Sequence, residues 1–355
     1  MNIVRLPAEG LSADYGDIIL DSVTGTVESI INIDGTEILH EVYYPDVSGM
    51  VYIRDIGSLA MTYDSVQDIN LDNGLDGSRV RLDITLQEGE QTESFQVYIY
   101  RCDAETRGTL SVPLLKQQPL SRLSKKTTGV GRREFISFYG PGQISANVIY
   151  SDTKTDQTKI ILLGTIAHDD GNQYKYDVSP VIIASLCGIS EADIASYSVY
   201  KSESDMIRFV MDHRSFLNKT TFLFRNIFGA QEAFTCIGDA NAEKKWTRSY
   251  GNINRRQKQI SRDLANTITV NTGYISIKST EIIEDLLNSQ SICLLEDGQL
   301  RDISIIEESF KVTSRRDELI AVEFKYRYSS NNQMQFRKPA NTQRVFDFTF
   351  DSSFN

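Results

Sequence analysis

Residues 79–87, RVRLDITLQ, alternate without a break: Val80, Leu82, Ile84 and Leu86 fall on one side, Arg79, Arg81, Asp83, Thr85 and Gln87 on the other. Successive side chains of a strand point to opposite faces, so this pattern predicts a strand with one buried and one wet face. LIAVEFKYRY repeats the period, with Ile320, Val322, Phe324, Tyr326 and Tyr328 opposing Ala321, Glu323, Lys325 and Arg327. RVFDFTF at 344–350 does so again through Phe346, Phe348 and Phe350. Shorter extended segments fill the gaps, among them TVESIINI, EILHEVYYP, ESFQVYIYRC, REFISFYG, KIILLGTI, MIRFVMD and TITVNTGYISI. Turn chemistry separates many of them, at Asp34-Gly35, Asn73-Gly74, 169–172 (DDGN) and Asp297-Gly298.

Short, frequent strands with few helices between them predict an all-β protein of two or three antiparallel β-sandwich or barrel-like domains with a few short helices. VSPVIIASLCG reads as a helix, with Ser179 as cap, Pro180 in the first position and Gly188 as the left-handed exit. A second short helix is expected at SEADIASY. In STEIIEDLLNSQ, Ser279 can cap, Glu281 and Glu284 favour the positive amino end, and Ile282, Ile283, Leu286 and Leu287 form one apolar stripe. The segment around 113–133 has two prolines, several cations and no period, and reads as a linker. It divides the chain into an N-terminal β domain (1–112), a middle β domain with short helices (134–216) and a C-terminal β domain with one helix (217–355). SYGNINRRQKQISRDLAN, before TITVNTGYISI, reads as a long exposed loop.

At 355 residues the chain is long enough for two or three cores. Its 40% apolar and 24% charged residues are those of a folded globular protein. A net charge of −11 argues against wrapping nucleic acid, whose phosphates favour clustered Lys and Arg. The amino terminus lacks the cationic and apolar run of an export signal, and no stretch suits a membrane span, so synthesis in a cytoplasm and no membrane partner are expected. Cys102, Cys187, Cys236 and Cys293 lie far apart with no CxxC pair, as buried reduced thiols do.

Chemistry is sparse. His40, His168 and His213 sit in no metal-ligand spacing and are expected on strands or the surface. GxSxG is missing, and TTGVGRRE, with Gly129 and Gly131, lacks the GKS/T ending of a phosphate loop and reads as a mobile linker. DINLDNGLDG places Asp68, Asn70 and Asp72 at alternate positions like a calcium loop, but Asn73 stands where glycine is needed and Arg79 where the closing Glu belongs. A solvated hairpin loop is the expectation there. Lys125, Lys126, Arg132 and Arg133, and Arg255, Arg256, Lys258 and Arg262, suit an acidic protein partner better than phosphate. No residue is assigned to catalysis, a cofactor or a metal, and no cofactor is expected.

FLFRNIFGAQEAFTCIGD, 222–239, holds four phenylalanines around 226–231 and reads as two strands and their corner, its phenylalanines in a core. The order FxFRNxFG, QEAFxCxG, a polar loop, NTGY, a Leu-rich helix and FKYRYS, over about 221–330, resembles virion structural proteins of phages and prophages of Bacteroidales-type bacteria. Tail or baseplate-associated proteins are the nearest likeness, with RREFISFYGPG and YDVSP as fainter echoes in the middle domain. The resemblance implies a non-enzymatic assembly protein of the virion, a symmetric homo-oligomer whose partners are other virion structural proteins. The strand at 344–350 would then be an arm added to a sheet of its own or of an adjacent subunit, or an ordinary last strand. A carbohydrate-binding surface protein stacking glycans on exposed tyrosines is the alternative, and a hydrolase with convergent carboxylates the third reading.

Overall fold

The computed structural model describes residues 1–64, 67–152, 155–253, 256–306, 311–314 and 319–329. The expected strand at 344–350 lies outside the described residues. The described residues form an all-β chain with four short helices, in five sheets.

The N-terminal part contains β1 (Asn2–Arg5), β2 (Glu9–Leu11), β3 (Ile18–Asp21), β4 (Val27–Ile33), β5 (Thr36–Tyr43), β6 (Val51–Ile53), α1 (Ile56–Thr62), β7 (Gly74–Ser78), β8 (Val80–Glu88) and β9 (Gln91–Tyr100). A three-stranded sheet, β1-β3-β6, and a five-stranded one, β2-β9-β8-β4-β5, share a core with Ile56 and Ala60 of α1. The alternation of β8 does what it predicts: Val80, Leu82, Ile84 and Leu86 are buried, while Arg81 and Gln87 are exposed. Pairing is antiparallel except at an edge, where β2 runs parallel to β9.

After α2 (Val112–Leu115) come β10 (Lys125–Gly129), β11 (Phe135–Tyr139), β12 (Gly142–Asp152), β13 (Thr155–Ile166), β14 (Asn172–Asp177), α3 (Pro180–Cys187), β15 (Ile194–Ser202) and β16 (Asp205–Asp212). The sheets β11-β14-β7 and β10-β16-β15-β12-β13 enclose one core with α3. The third strand of the first sheet is thus β7, from the N-terminal part, with Tyr174 opposite Leu75. The expected linker is only partly one, because Lys125–Gly129 forms an edge strand parallel to β16. Helix α3 begins after Ser179, with Pro180 first, and ends at Gly188, φ +72°, as predicted, but the Ser179 hydroxyl does not cap it, being bonded instead to Glu134 N and Asp177 Oδ1. At SEADIASY the expected helix shrinks to one 3-10 turn, Glu191–Asp193, because the extended chain of β15 carries Ile194, Tyr197 and Val199 into the sandwich core.

The C-terminal part comprises β17 (Thr220–Arg225), β18 (Gln231–Cys236), β19 (Ala240–Ile253), β20 (Arg256–Ser276), α4 (Thr280–Asn288), β21 (Ile292–Glu296), β22 (Gln299–Ile305), β23 (Lys311–Ser314) and β24 (Leu319–Tyr328). The sheet runs β18-β17-β21-β22-β24-β20-β19. It rolls up, because Ile237 N donates to Thr272 O at 3.3 Å, Gly238 N to Asn271 O at 3.1 Å and Asn271 N to Asp239 O at 3.1 Å. These bonds join the β18 end to β20. Ile282, Ile283 and Leu286 of α4 pack inside the roll against Phe222, Phe224 and Phe324. The expected long loop is instead a hairpin: residues 240–253 pair with 256–270. Beyond Ile268↔Tyr326, where pairing with β24 stops, this hairpin continues, among the described residues, as a two-stranded ribbon.

Candidate functional site

FLFRNIFGAQEAF forms the end of β17, a turn and the start of β18, the two strands and corner expected of it. Phe222 and Phe224 point into the roll, whereas Leu223 packs with Phe135 of β11 and Ile69 on its outer side. Both faces are therefore buried, and Arg225, next in the outward row, is only 6% exposed. The turn to β18 is knitted by Asn226, whose Oδ1 accepts from Phe228 N (2.9 Å) and Ala230 N (3.1 Å). Its Nδ2 donates to Leu120 O (2.7 Å) and Glu232 Oε1 (2.8 Å). Gly229 is required twice: its φ is +69°, and a Cβ would meet Arg101 Cδ at 2.8 Å.

Around this turn the three parts of the chain meet in a buried polar junction. Asp76 of β7, fully buried, pairs with Arg225 Nη1 and accepts from Ser137 Oγ of β11 (2.6 Å) and Gln231 N of β18 (2.9 Å). Arg225 also donates to Asp76 O, Gly229 O and Gln67 O. Lys175 of β14, 1% exposed, donates to Asn70 O (2.9 Å), Asn70 Oδ1 (2.8 Å) and Gln231 Oε1 (3.0 Å). Those oxygens are uncharged, and burial pushes the Lys175 ammonium down to about 8. Lys126 of β10 lies between Glu134 (3.0 Å) and Glu232 (3.2 Å); burial disfavours its charge, but the two carboxylates more than offset that and raise its pKa.

Two clefts flank the junction. The larger, about 450 Å³, is lined by Arg101, Asp103, Arg122, Arg225 and the end of α4 from Glu284 to Asn288. Its charges are paired: Arg101 with Asp64 and Asp103, and Arg122 with Glu281, Glu284 and Asp285. Burial pushes the Asp285 carboxyl up to about 6 although Arg122 Nη1 is 3.0 Å away. The smaller, about 240 Å³, opens between β10, the end of β16 and the seam of the roll.

Several expectations change here. The segment 68–73 is no solvated hairpin loop: Ile69 is buried, Asn70 is bound by Lys175 and Gln231, and Asn73 Oδ1 accepts from Asp177 N, so the segment straps the junction. TTGVGRRE is no mobile linker; it forms β10 and a turn that buries Lys126, Arg132 and Glu134. Of the first basic group, Lys126 and Arg132 face inward, Arg133 pairs with Asp177 at 2.9 Å, and Lys125 is exposed. In the second, Arg256, Lys258 and Arg262 lie on the ribbon strand β20, and Arg255 lies outside the described residues. The four cysteines are buried and free. His40, His168 and His213 are exposed, His40 being raised by its hydrogen bond to Glu28.

Nothing in the sequence around Asp76, Lys175 and Glu232 marks them as buried, because charged residues are normally exposed. One signal pointed to Arg225. Phe222, Leu223 and Phe224 are apolar at consecutive positions, the mark of a strand buried on both faces, and Arg225 follows in the outward row of Leu223. No known protein family matches the chain, and no characterised protein is significantly similar to it in sequence. Among the described residues no helix is long and apolar enough to cross a membrane.

Proposed function

We propose that this chain is a non-enzymatic structural protein of a phage or prophage virion, in the tail or baseplate, that acts by assembling into a symmetric oligomer. The observation that carries the reading is the β19–β20 ribbon. From Glu243↔Thr267 to Ile253↔Arg256 its strands pair with each other beyond the reach of β24. That is roughly 35 Å of hairpin at about 3.4 Å per residue. A lone two-stranded ribbon has no core of its own and is marginal in water, so a partner surface is its natural stabiliser.

Charge says what that surface is. Residues 243–263 contain Lys244, Lys245, Arg248, Arg255, Arg256, Lys258 and Arg262 against Glu243 and Asp263, seven cations and two carboxylates, net +5. The whole chain is −11, so the remainder carries −16. A basic arm on an acidic body is complementary to a second copy of the same body, and head-to-tail contacts of this kind close into rings. The body that carries the arm is stiffened by the Asp76–Arg225 junction, which ties its three parts together. Sedimentation velocity of the full chain across a concentration series tests the reading. A discrete oligomer that dissociates as salt screens the arm is expected; a monomer at every concentration and salt would refute it.

A further inference from the structure

The larger sheet of the middle sandwich ends in two edge strands, β10 and β13. The first is turned toward the roll, with Lys126 Nζ donating to Ala233 O at 3.2 Å. The second pairs with β12 alone, and no described strand lies along its other edge. Such an edge is a row of N–H and C=O groups ready to pair, and natural sheets blunt theirs with short strands, prolines or charges. Strand β13 is 12 residues long and contains no proline. Ile161 faces the core, so Thr158, Ile160 and Leu162 form the outer row, which carries no charge. Ile160 and Leu162 are 63% and 56% exposed there. Lys159, on the inner side, does not guard the edge, because its Nζ is tied back to Cys187 O of α3 at 2.9 Å.

The chain has a segment that fits this edge. RVFDFTF, 344–350, outside the described residues, alternates as a strand does and puts three phenylalanines on one side. Burying each gains roughly 1.5–3 kcal/mol, so that row calls for an apolar neighbour. The segment is seven residues long, and β13 keeps unbroken register with β12 over seven, from Asp156 to Leu162. Reach is no obstacle. Ser329 N donates to Asp302 O at 3.0 Å, Asp302 pairs with Cys293, and Cys293 with Leu223, which packs on Phe135 of the middle sandwich. Three strand spacings, about 14 Å, therefore separate Ser329 from that sandwich contact, and residues 330–343 extend up to about 48 Å. With the Phe row beside Ile160 and Leu162, Asp347 falls on the face of Lys159, its opposite in charge. A tether of this length holds the segment near its own body at high effective concentration, which favours it over the same segment of another copy. We propose that residues 344–350 of the same chain add to the edge of β13, extending the larger sheet of the middle sandwich, with Phe346, Phe348 and Phe350 beside Ile160 and Leu162.

Hydrogen exchange of the full chain, read over 156–162, tests this, because every second amide of that run points to the edge. Protection like that of the central strand β15 is expected. Phe346→Asp with Phe348→Asp should speed exchange of the edge amides about tenfold or more while β15 stays unchanged, and added RVFDFTF peptide should restore the protection. Ile160→Lys with Leu162→Lys alters two exposed positions, so its fold is secure, and should speed exchange to a similar degree. Edge amides that exchange freely in the unaltered chain, or at the same rate in it and both variants, would overturn the proposal. Protection that falls on dilution would give the strand to a second copy and overturn the assignment to the same chain.

Discussion

The Asp76 carboxylate is held by Ser137 of the middle sandwich and by Arg225 and Gln231 of the C-terminal roll, while its own strand comes from the N-terminal part. Truncating one partner of a buried ion pair leaves the other charge uncompensated, so Asp76→Ala should destabilise the chain by about 3–5 kcal/mol. Urea unfolding measures it, and a loss below 1 kcal/mol or so would mean that water replaces the carboxylate at little cost. Lys175 gives a pH signature. Its folded pKa, about 8, lies below the ordinary 10.5, so between those values the unfolded chain keeps a proton that the folded chain has lost. Stability from this group therefore rises with pH over that window. Lys175→Met should remove the rise without leaving its oxygens bare. Gln231 Oε1 still accepts from Asn70 N, Asn70 O from Gln231 Nε2 and Asn70 Oδ1 from Asp72 N. Urea midpoints at about pH 8 and pH 10 for both proteins decide it; an equal rise in the two contradicts the assignment.

Among the elements, β17 separates the two kinds of burial cleanly. Phe222 fills the roll against Phe324 and Tyr326, with ring centroids 5.5 and 5.4 Å away. Phe222→Ala should cost about 3–5 kcal/mol by opening a cavity there, measured by thermal or urea unfolding. A cost near that of a surface substitution would mean that α4 collapses into the space. Period-2 patterns made β8, β24 and the strands of the sandwiches legible, because each has one apolar face turned to a core. The same signal is silent for the ribbon: GNINRRQKQISRD carries no apolar period and reads as a loop. It also misleads at SEADIASY, where local helix propensity yields to the burial of Ile194 and Tyr197 in β15. The buried charges were hidden for a related reason, since sequence shows that Lys126 is charged but not that Glu134 and Glu232 meet it from distant positions.

At the scale of the whole molecule, the all-β class was readable from strand frequency, whereas the interleaving of its parts was not. Strand β7 precedes β8 in sequence by one residue, Arg79, yet it pairs into the middle sandwich, and only the partner strand β14 reveals that register. The junction that results makes a single acidic body from which one basic ribbon departs. In the proposed assembly that ribbon is the part that grips another copy. Light scattering on a variant in which 244–264 is replaced by a short Gly-Ser turn tests this directly, with circular dichroism to verify that the body stays folded. A folded monomer beside an oligomeric full chain is expected; a variant that keeps the full chain's oligomeric mass would contradict the proposed role of the ribbon.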